Sequence, residues 1–270
     1  AKRSAIRWLS RSFALPCIGF DLVKPPPPGP SVNLERNMIT PLKSDDALLE
    51  DIAAAESGEH LFHLWWRGQS GFLLKYNGQH LLLDPYLSDS LTKKYAETDK
   101  PHVRMTELCV DPARLDFIDV VTSSHNHTDH LDGETLGPLL AANPNMEIVV
   151  PAANQDFAAQ RLQVDPARLT PCVSGEIIST HGFLLHGLPA AHEQIEHDEQ
   201  GRDRCMGFVV QFGLFSVYHS GDTVRFEGQA EFVRARGCDV ALLPINGRKP
   251  QRRVADNLWG REAAQLAQDI

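Results

Sequence analysis

The apolar residues of this chain fall in short runs divided by turn residues, a pattern of buried strands joined by tight connections. Phe72-Leu73-Leu74-Lys75-Tyr76 and Gln79-His80-Leu81-Leu82-Leu83 flank Asn77-Gly78. Asn-Gly tolerates the positive φ of a type I′ turn, so a β-hairpin is predicted. Residues 206–212 and 215–219 flank Gly213-Leu214 and predict a second hairpin. Residues 177–188 supply one or two further strands, and 240–245 a buried one. Strand and helix alternate in between. Phe117-Ile118-Asp119-Val120-Val121 reads as a buried strand followed by a helix over 133–143, and 147–150 as a strand followed by a helix over 154–163. A last amphipathic helix covers 262–270. Residues 86–116 are polar and poorly periodic, and Tyr86 to Arg104 reads as a long loop of the kind that shapes pockets.

The first 57 residues read differently. Ile6, Leu9 and Phe13 have helical spacing among Lys2, Arg3, Arg7 and Arg11, so a short basic amphipathic helix is predicted. Such a helix can touch a membrane surface; packing across its own domain is the preferred reading. Pro25-Pro26-Pro27-Pro28-Gly29-Pro30 is a stiff polyproline run. Residues 44–52, with acids in the first turn and an apolar stripe, read as a helix. The organisation expected is an extension over 1–57 and one domain over 58–270.

Composition narrows the classes. A chain of 270 residues makes one large domain or two small ones. A formal net charge of −9 disfavours a broad basic surface for nucleic acid. A small-molecule substrate is the expected partner, and a homo-oligomer is compatible with the sequence. Cys17, Cys109, Cys172, Cys205 and Cys238 are scattered, odd in number and never in C-x-x-C spacing, which predicts a reducing compartment and a cytoplasmic location. No apolar run is long enough to span a membrane.

Candidate chemistry concentrates in Ser123-Ser124-His125-Asn126-His127-Thr128-Asp129-His130-Leu131-Asp132. The stretch lies between the predicted strand at 117–121 and the helix at 133–143, where α/β proteins place ligands. Residues two apart in an extended loop point the same way, so His125 and His127 can face one ion. The turn into the helix re-aims Asp129 and His130 at a neighbouring point. Imidazole with carboxylate suits Zn, Mn or Fe rather than Ca or Mg. At the far end, Asn246-Gly247-Arg248-Lys249-Pro250 is either a binding loop, with Arg248 holding a substrate carboxylate or phosphate, or a solvated basic loop.

The His-x-His-x-Asp-His sequence at a strand end resembles the signature of the metallo-β-lactamase superfamily. Leu64-Trp65-Trp66-Arg67-Gly68-Gln69-Ser70-Gly71-Phe72, Leu83-Asp84-Pro85 and Tyr218-His219-Ser220-Gly221-Asp222-Thr223 are similar to the branch containing L-ascorbate-6-phosphate lactonase. The resemblance covers about residues 60–270 and implies an α/β fold, the four-layer αββα sandwich. It implies that His192 completes the site of His125 and His127. Asp222 would bridge to a second ion held with Asp129 and His130, and Asp84 would brace the metal loop by hydrogen bonds. His186, His197 and His219 are left out of the ligand set. Relatives of this pattern continue into a further strand and a loop with one more His, which no residue up to 270 supplies.

The implied activity is metal-dependent hydrolysis with one or two divalent ions, Zn or Mn, with Fe as the option. A bound ion lowers the pKa of water towards about 7, and Asp129 is the residue placed to orient or deprotonate that water. A lactone or related ester is the first substrate class. A phosphodiesterase or phospholipase-D-like activity is the second reading, and a di-iron redox protein of the same fold the third.

Overall fold

A computed structural model describes residues 38–99, 102, 104–248 and 255–270. The basic helix and polyproline run expected before residue 38 lie outside the described residues, as do Lys249, Arg252 and Arg253.

Both predicted hairpins form. Strands β1 (His63–Trp66), β2 (Phe72–Tyr76) and β3 (Gln79–Leu83) are antiparallel neighbours. The turn between β2 and β3 has Asn77 at φ 47° and Gly78 at φ 82°, the double positive φ that a type I′ turn requires. Strands β4 (Val120–Thr122), β5 (Glu147–Pro151) and β6 (Thr170–Cys172) extend this sheet in parallel, giving the order β1-β2-β3-β4-β5-β6. The second sheet runs β11-β10-β9-β8-β7. It consists of β7 (Ile177–Thr180), β8 (Phe183–Pro189), β9 (Met206–Phe212) and β10 (Phe215–His219), all antiparallel, with β11 (Val240–Leu242) parallel to β10.

Side-chain alternation explains the near-continuous apolar runs: each central strand is buried on both faces. In the first sheet Leu74, Leu81, Leu83, Val120 and Val149 turn inward. They meet Phe183, Leu185, Phe208, Val210, Phe212 and Val217 of the second sheet. The alternate residues Leu73, Leu82, Val121, Ile148 and Val150 turn outward. There they are covered by helices α1 (Asp45–Ala54), α3 (Gly133–Ala142) and α4 (Gln155–Leu162). The outer face of the second sheet offers Val209 and Tyr218 to helix α5 (Gln229–Arg234). Leu243 and Ile270 pack at the junction with helix α6 (Gly260–Asp269). Helix, sheet, sheet, helix is the expected four-layer order.

Three expectations are corrected. Helix α1 buries Leu48 and Ile52 against the outer face of the first sheet, and Met38–Ile270 form one unit. The boundary expected at residue 57 therefore falls inside that unit. Lys75 enforces the packing: its buried ammonium donates to the Ile52 and Ala55 carbonyls at 2.8 and 2.9 Å, capping the carboxyl end of α1. The second correction concerns 86–104, which holds helix α2 (Ser90–Tyr95) rather than one long loop. Tyr86 is fully buried there and Leu91 nearly so. The third is that β11 is half-buried, at the edge of its sheet. Among the described residues no helix is long and apolar enough to cross a membrane.

The entry to the site depends on Asn143, at the end of α3. Its side chain accepts from Ile118 N at 2.9 Å and donates to Leu115 O and Leu139 O at 2.6 and 2.9 Å. Leaving a buried group unsatisfied costs about 1–3 kcal/mol. Asn143→Ala should therefore lower unfolding free energy by about 2–4 kcal/mol in denaturant titration. A loss below about 1 kcal/mol would show that other contacts hold the segment before β4.

Candidate metal centre

Three strand ends from two sheets deliver the candidate ligands to one edge. His125, His127, Asp129 and His130 lie between β4 and α3, His192 follows β8, and Asp222 follows β10. Ser124 joins the two halves: its carbonyl accepts from Met206 N, at the start of β9, at 2.9 Å. Gly221 makes the approach close enough. It has φ 60°, and a Cβ there would sit 2.7 Å from Ser124 Cβ and 2.9 Å from the Met206 carbonyl. Only glycine fits both the backbone and the space.

Within this frame His125 Nε2 lies 3.0 Å from His127 Nδ1, and His192 Nε2 lies 3.1 Å from the same atom. The far nitrogens are occupied: His125 Nδ1 is 3.0 Å from Ser124 Oγ, and His192 Nδ1 donates to Asp256 O at 3.0 Å. Three ring nitrogens thus face one point with at most one proton to share. Burial pushes His125 well below the ordinary histidine range, helped by the charge of His130. Burial followed by the neighbouring His192 lowers His127. Neutral rings with inward lone pairs are what a transition-metal ion requires. Nitrogens bound to zinc at about 2.0–2.1 Å in a tetrahedron lie about 3.3 Å apart, close to the spacing seen. The donor set fits an ion.

A second group adjoins the first: His125, His130 and Asp222 bring ligand atoms within 4.8 Å of one another. His130 Nε2 is 3.4 Å from Asp222 Oδ1, and His192 Nε2 is 3.6 Å from Asp222 Oδ2, so Asp222 stands between the two groups. Burial works against charge on His130, but Asp222 and Asp129 overcome it and raise the ring well above its ordinary range. Burial likewise opposes charge on Asp222, and His130 holds the carboxylate well down. Both shifts favour the ionised pair, and an ion at the second position must displace the proton on His130 Nε2. Asp129 joins neither group. Its Oδ2 is 3.9 Å from His130 Nε2 and its side chain is partly exposed.

Asp84 supports the loop from behind. Fully buried, it accepts from Ser124 N at 2.8 Å and from Ser124 Oγ, and its Oδ2 is 2.6 Å from His130 Nδ1. That contact places the His130 proton on Nδ1 and turns Nε2 towards Asp222. Asp84 has φ 42°, a conformation L-residues adopt at a cost and that clusters at functional sites.

Other expectations fare differently. Arg248 spends its guanidinium on Glu262, with bonds of 2.8 and 2.6 Å, an ion pair tying the loop to α6 where the sequence offered either an anion-binding loop or a solvated one. His197 Nδ1 lies 2.9 Å from Asp203 Oδ1, His186 is satisfied by Gln211 at 2.8 Å, and His219 Nε2 by the Ser70 carbonyl at 3.0 Å. The last contact marks a site element that sequence reasoning missed. The turn between β1 and β2 brings Ser70 Oγ 3.4 and 3.5 Å from the two ring nitrogens of His130. An oxygen equidistant from both lies over the ring face rather than on either nitrogen's lone pair. The signal in the sequence was Gly68-Gln69-Ser70-Gly71; the positive φ of Gln69, 48°, appears only in the structure.

Comparison with known proteins places this architecture. Residues 79–270 match the family model described as the beta-lactamase superfamily domain, and the chain belongs to that family. Among its relatives, a UPF0173 metal-dependent hydrolase of Opitutus terrae is 33% identical over 187 residues, covering 67% of this chain and 71% of that one. A protein of the same description from Saccharolobus solfataricus is 26% identical over 189 residues, with 68% and 72% covered. Solved structures of similar fold include an isothiocyanate hydrolase from Delia radicum gut bacteria. It has 17% identity and a TM-score of 0.57, with 78% of this chain and 81% of that one covered. The diiron β-hydroxylase CmlA of Streptomyces venezuelae has 20% identity and a TM-score of 0.53, with 76% and 42% covered. One fold thus carries hydrolytic and oxidative chemistry, and only the site can choose between them.

The close approach of the two halves is open to test by adding one methyl group. Gly182 has φ 80° with nothing near its missing Cβ, so Gly182→Ala should cost only the left-handed conformation, about 1–2 kcal/mol. Gly221→Ala carries that cost and the clash with Ser124, typically about 1–3 kcal/mol more. Equal losses in thermal unfolding of the two variants would show that the approach at Gly221 is not tight.

Proposed function

We propose that this chain is a metal-dependent hydrolase acting on a small molecule. The observation that carries the reading is the convergence of His125 Nε2, His127 Nδ1 and His192 Nε2 on one point. These three residues would hold the first ion, and His130 and Asp222, with Asp129 beside them, the second. A bound zinc or manganese ion supplies Lewis acidity and water of lowered pKa, near 7 for zinc.

The chain's own groups do the rest. His127 is exposed while His125 and His130 are buried, so a substrate enters from the His127 side. Asp129 touches its loop only through the 3.9 Å ion pair with His130 among the described contacts and is partly exposed on the site, so its Oδ2 is the base that orients the attacking water and takes its proton. Asp84 keeps the His130 proton on Nδ1, which leaves Nε2 directed into the site. The relatives described as metal-dependent hydrolases support hydrolysis over redox chemistry.

A lactone or related carboxylic ester is the proposed substrate. The ion pair of Arg248 with Glu262 engages that guanidinium, so Arg248 lends no support to a phosphorylated substrate. A panel of lactones, esters and phosphodiesters, assayed with zinc and with manganese, decides between these classes. Turnover of phosphodiesters alone would replace the ester reading.

Two variants assayed on whichever substrate is turned over separate ligand from base. Asp129→Asn keeps the shape but loses the ionised acceptor. It should cut kcat by about 10²–10⁴-fold with first-ion content retained, the usual worth of a positioned acid-base group. His127→Ala should lose metal and activity together. Full activity of Asp129→Asn with full metal would refute the base assignment, and loss of all metal would make Asp129 chiefly a ligand.

A further inference from the structure

Arg161, in the last turn of α4, lies outside the ligand set and belongs to no motif, yet its side chain crosses to the metal loop. Its Nη1 donates to Asn126 O at 2.6 Å and to Leu131 O at 3.1 Å. These two carbonyls bracket His127, Asp129 and His130. One nitrogen bonds both, so the ends of the segment cannot separate by more than the two bonds laid end to end. The guanidinium carbon stands 4.4 Å over the ring of Phe157, one helical turn earlier, which fixes the direction of the side chain. Inside the segment the His127 carbonyl accepts from His130 N at 3.1 Å and Leu131 N at 2.8 Å, which folds the turn. Those bonds do not fix its two ends relative to α4.

Such a restraint answers a physical need. The facing nitrogens of His125 and His127 are 3.0 Å apart and those of His127 and His192 3.1 Å, with too few protons to satisfy all three. Without an ion, these facing lone pairs favour opening of the loop.

We infer that Arg161 is a positioning residue: it holds residues 126–131 in the ligand-ready shape before an ion arrives, and so sets the affinity of the site for metal. The inference rests on the metal-centre reading given above. Its sign is distinctive. A cation near a metal ion repels it, so electrostatics alone predicts that removing Arg161 tightens binding. Loss of pre-organisation predicts the reverse. If the released loop is ligand-ready only about 1–10% of the time, apparent affinity falls by about 10–100-fold.

The test is zinc affinity of the full chain by competition with a chromophoric chelator, with the thermal midpoint of the metal-free protein measured alongside. Arg161→Met keeps length and apolar packing but donates nothing. Its zinc affinity should fall by about 10–100-fold while the metal-free midpoint moves by only a few degrees. Arg161→Lys retains a charged donor on a long stem and should recover a large part of that loss; it also serves should Arg161→Met fail to fold. Unchanged or tighter zinc binding by Arg161→Met overturns the inference, as does a lowered midpoint with affinity intact. A wild-type chain that binds no zinc or manganese overturns the metal-centre reading itself, a result distinct from wild-type binding that Arg161 does not affect.

Discussion

The carboxylate of Asp84 is fully buried, and the rest of the site follows from how it is satisfied. A buried charge has to be hydrogen-bonded or neutralised. Asp84 meets that demand with the Ser124 amide and hydroxyl and with His130 Nδ1. These bonds fix the first residue of the metal loop and one ring near its end. Ser124 passes the constraint on, because its carbonyl binds Met206 N of the second sheet and its side chain leaves room only for glycine at 221. Register between the sheets, orientation of His130 and placement of Asp222 are thereby one problem with one solution. The left-handed backbone of Asp84 is the cost of aiming its carboxylate at the loop instead of continuing β3.

Much of the scaffold was legible in the residues because its signals are local. Asn77-Gly78 announces its hairpin through backbone chemistry, and the runs at 72–76, 79–83 and 206–212 read as strands because both their faces are buried. Shorter elements escaped. Strand β6 is three residues with Pro171 at its centre, tolerated because β6 is the edge of its sheet. Helices α2 and α5 are six residues each, too short for an apolar period to show. Residues 86–104 read as a loop because their order comes from outside the segment. Ser88 and Ser90 are held by Asp132 at 2.6 and 2.8 Å, and Arg104 by the Ser88 carbonyl at 2.7 Å.

The candidate site divides in the same way. The spacing of His125, His127, Asp129 and His130 is contained in six residues, so their clustering could be read directly. His192 and Asp222 could be placed only through the resemblance; the polar run 196–201 marks His197 as a loop-tip residue but does not by itself make His192 a ligand. The structure brings His192 into the trio and leaves His197 with Asp203. What no local reading could reach is pairing at a distance. Arg248 finds Glu262 on α6, Ser70 reaches His130 from the turn after β1, and Arg161 reaches back to Asn126 and Leu131. Each depends on the completed packing of two layers.

On this reading the His125, His127 and His192 nitrogens converge because they share an ion. X-ray absorption at the zinc edge of the zinc-loaded wild-type chain tests it most directly. The account predicts a first shell at about 2.0–2.1 Å with the outer-ring scattering of several imidazoles. A shell of oxygen alone, with no imidazole scattering, would contradict it.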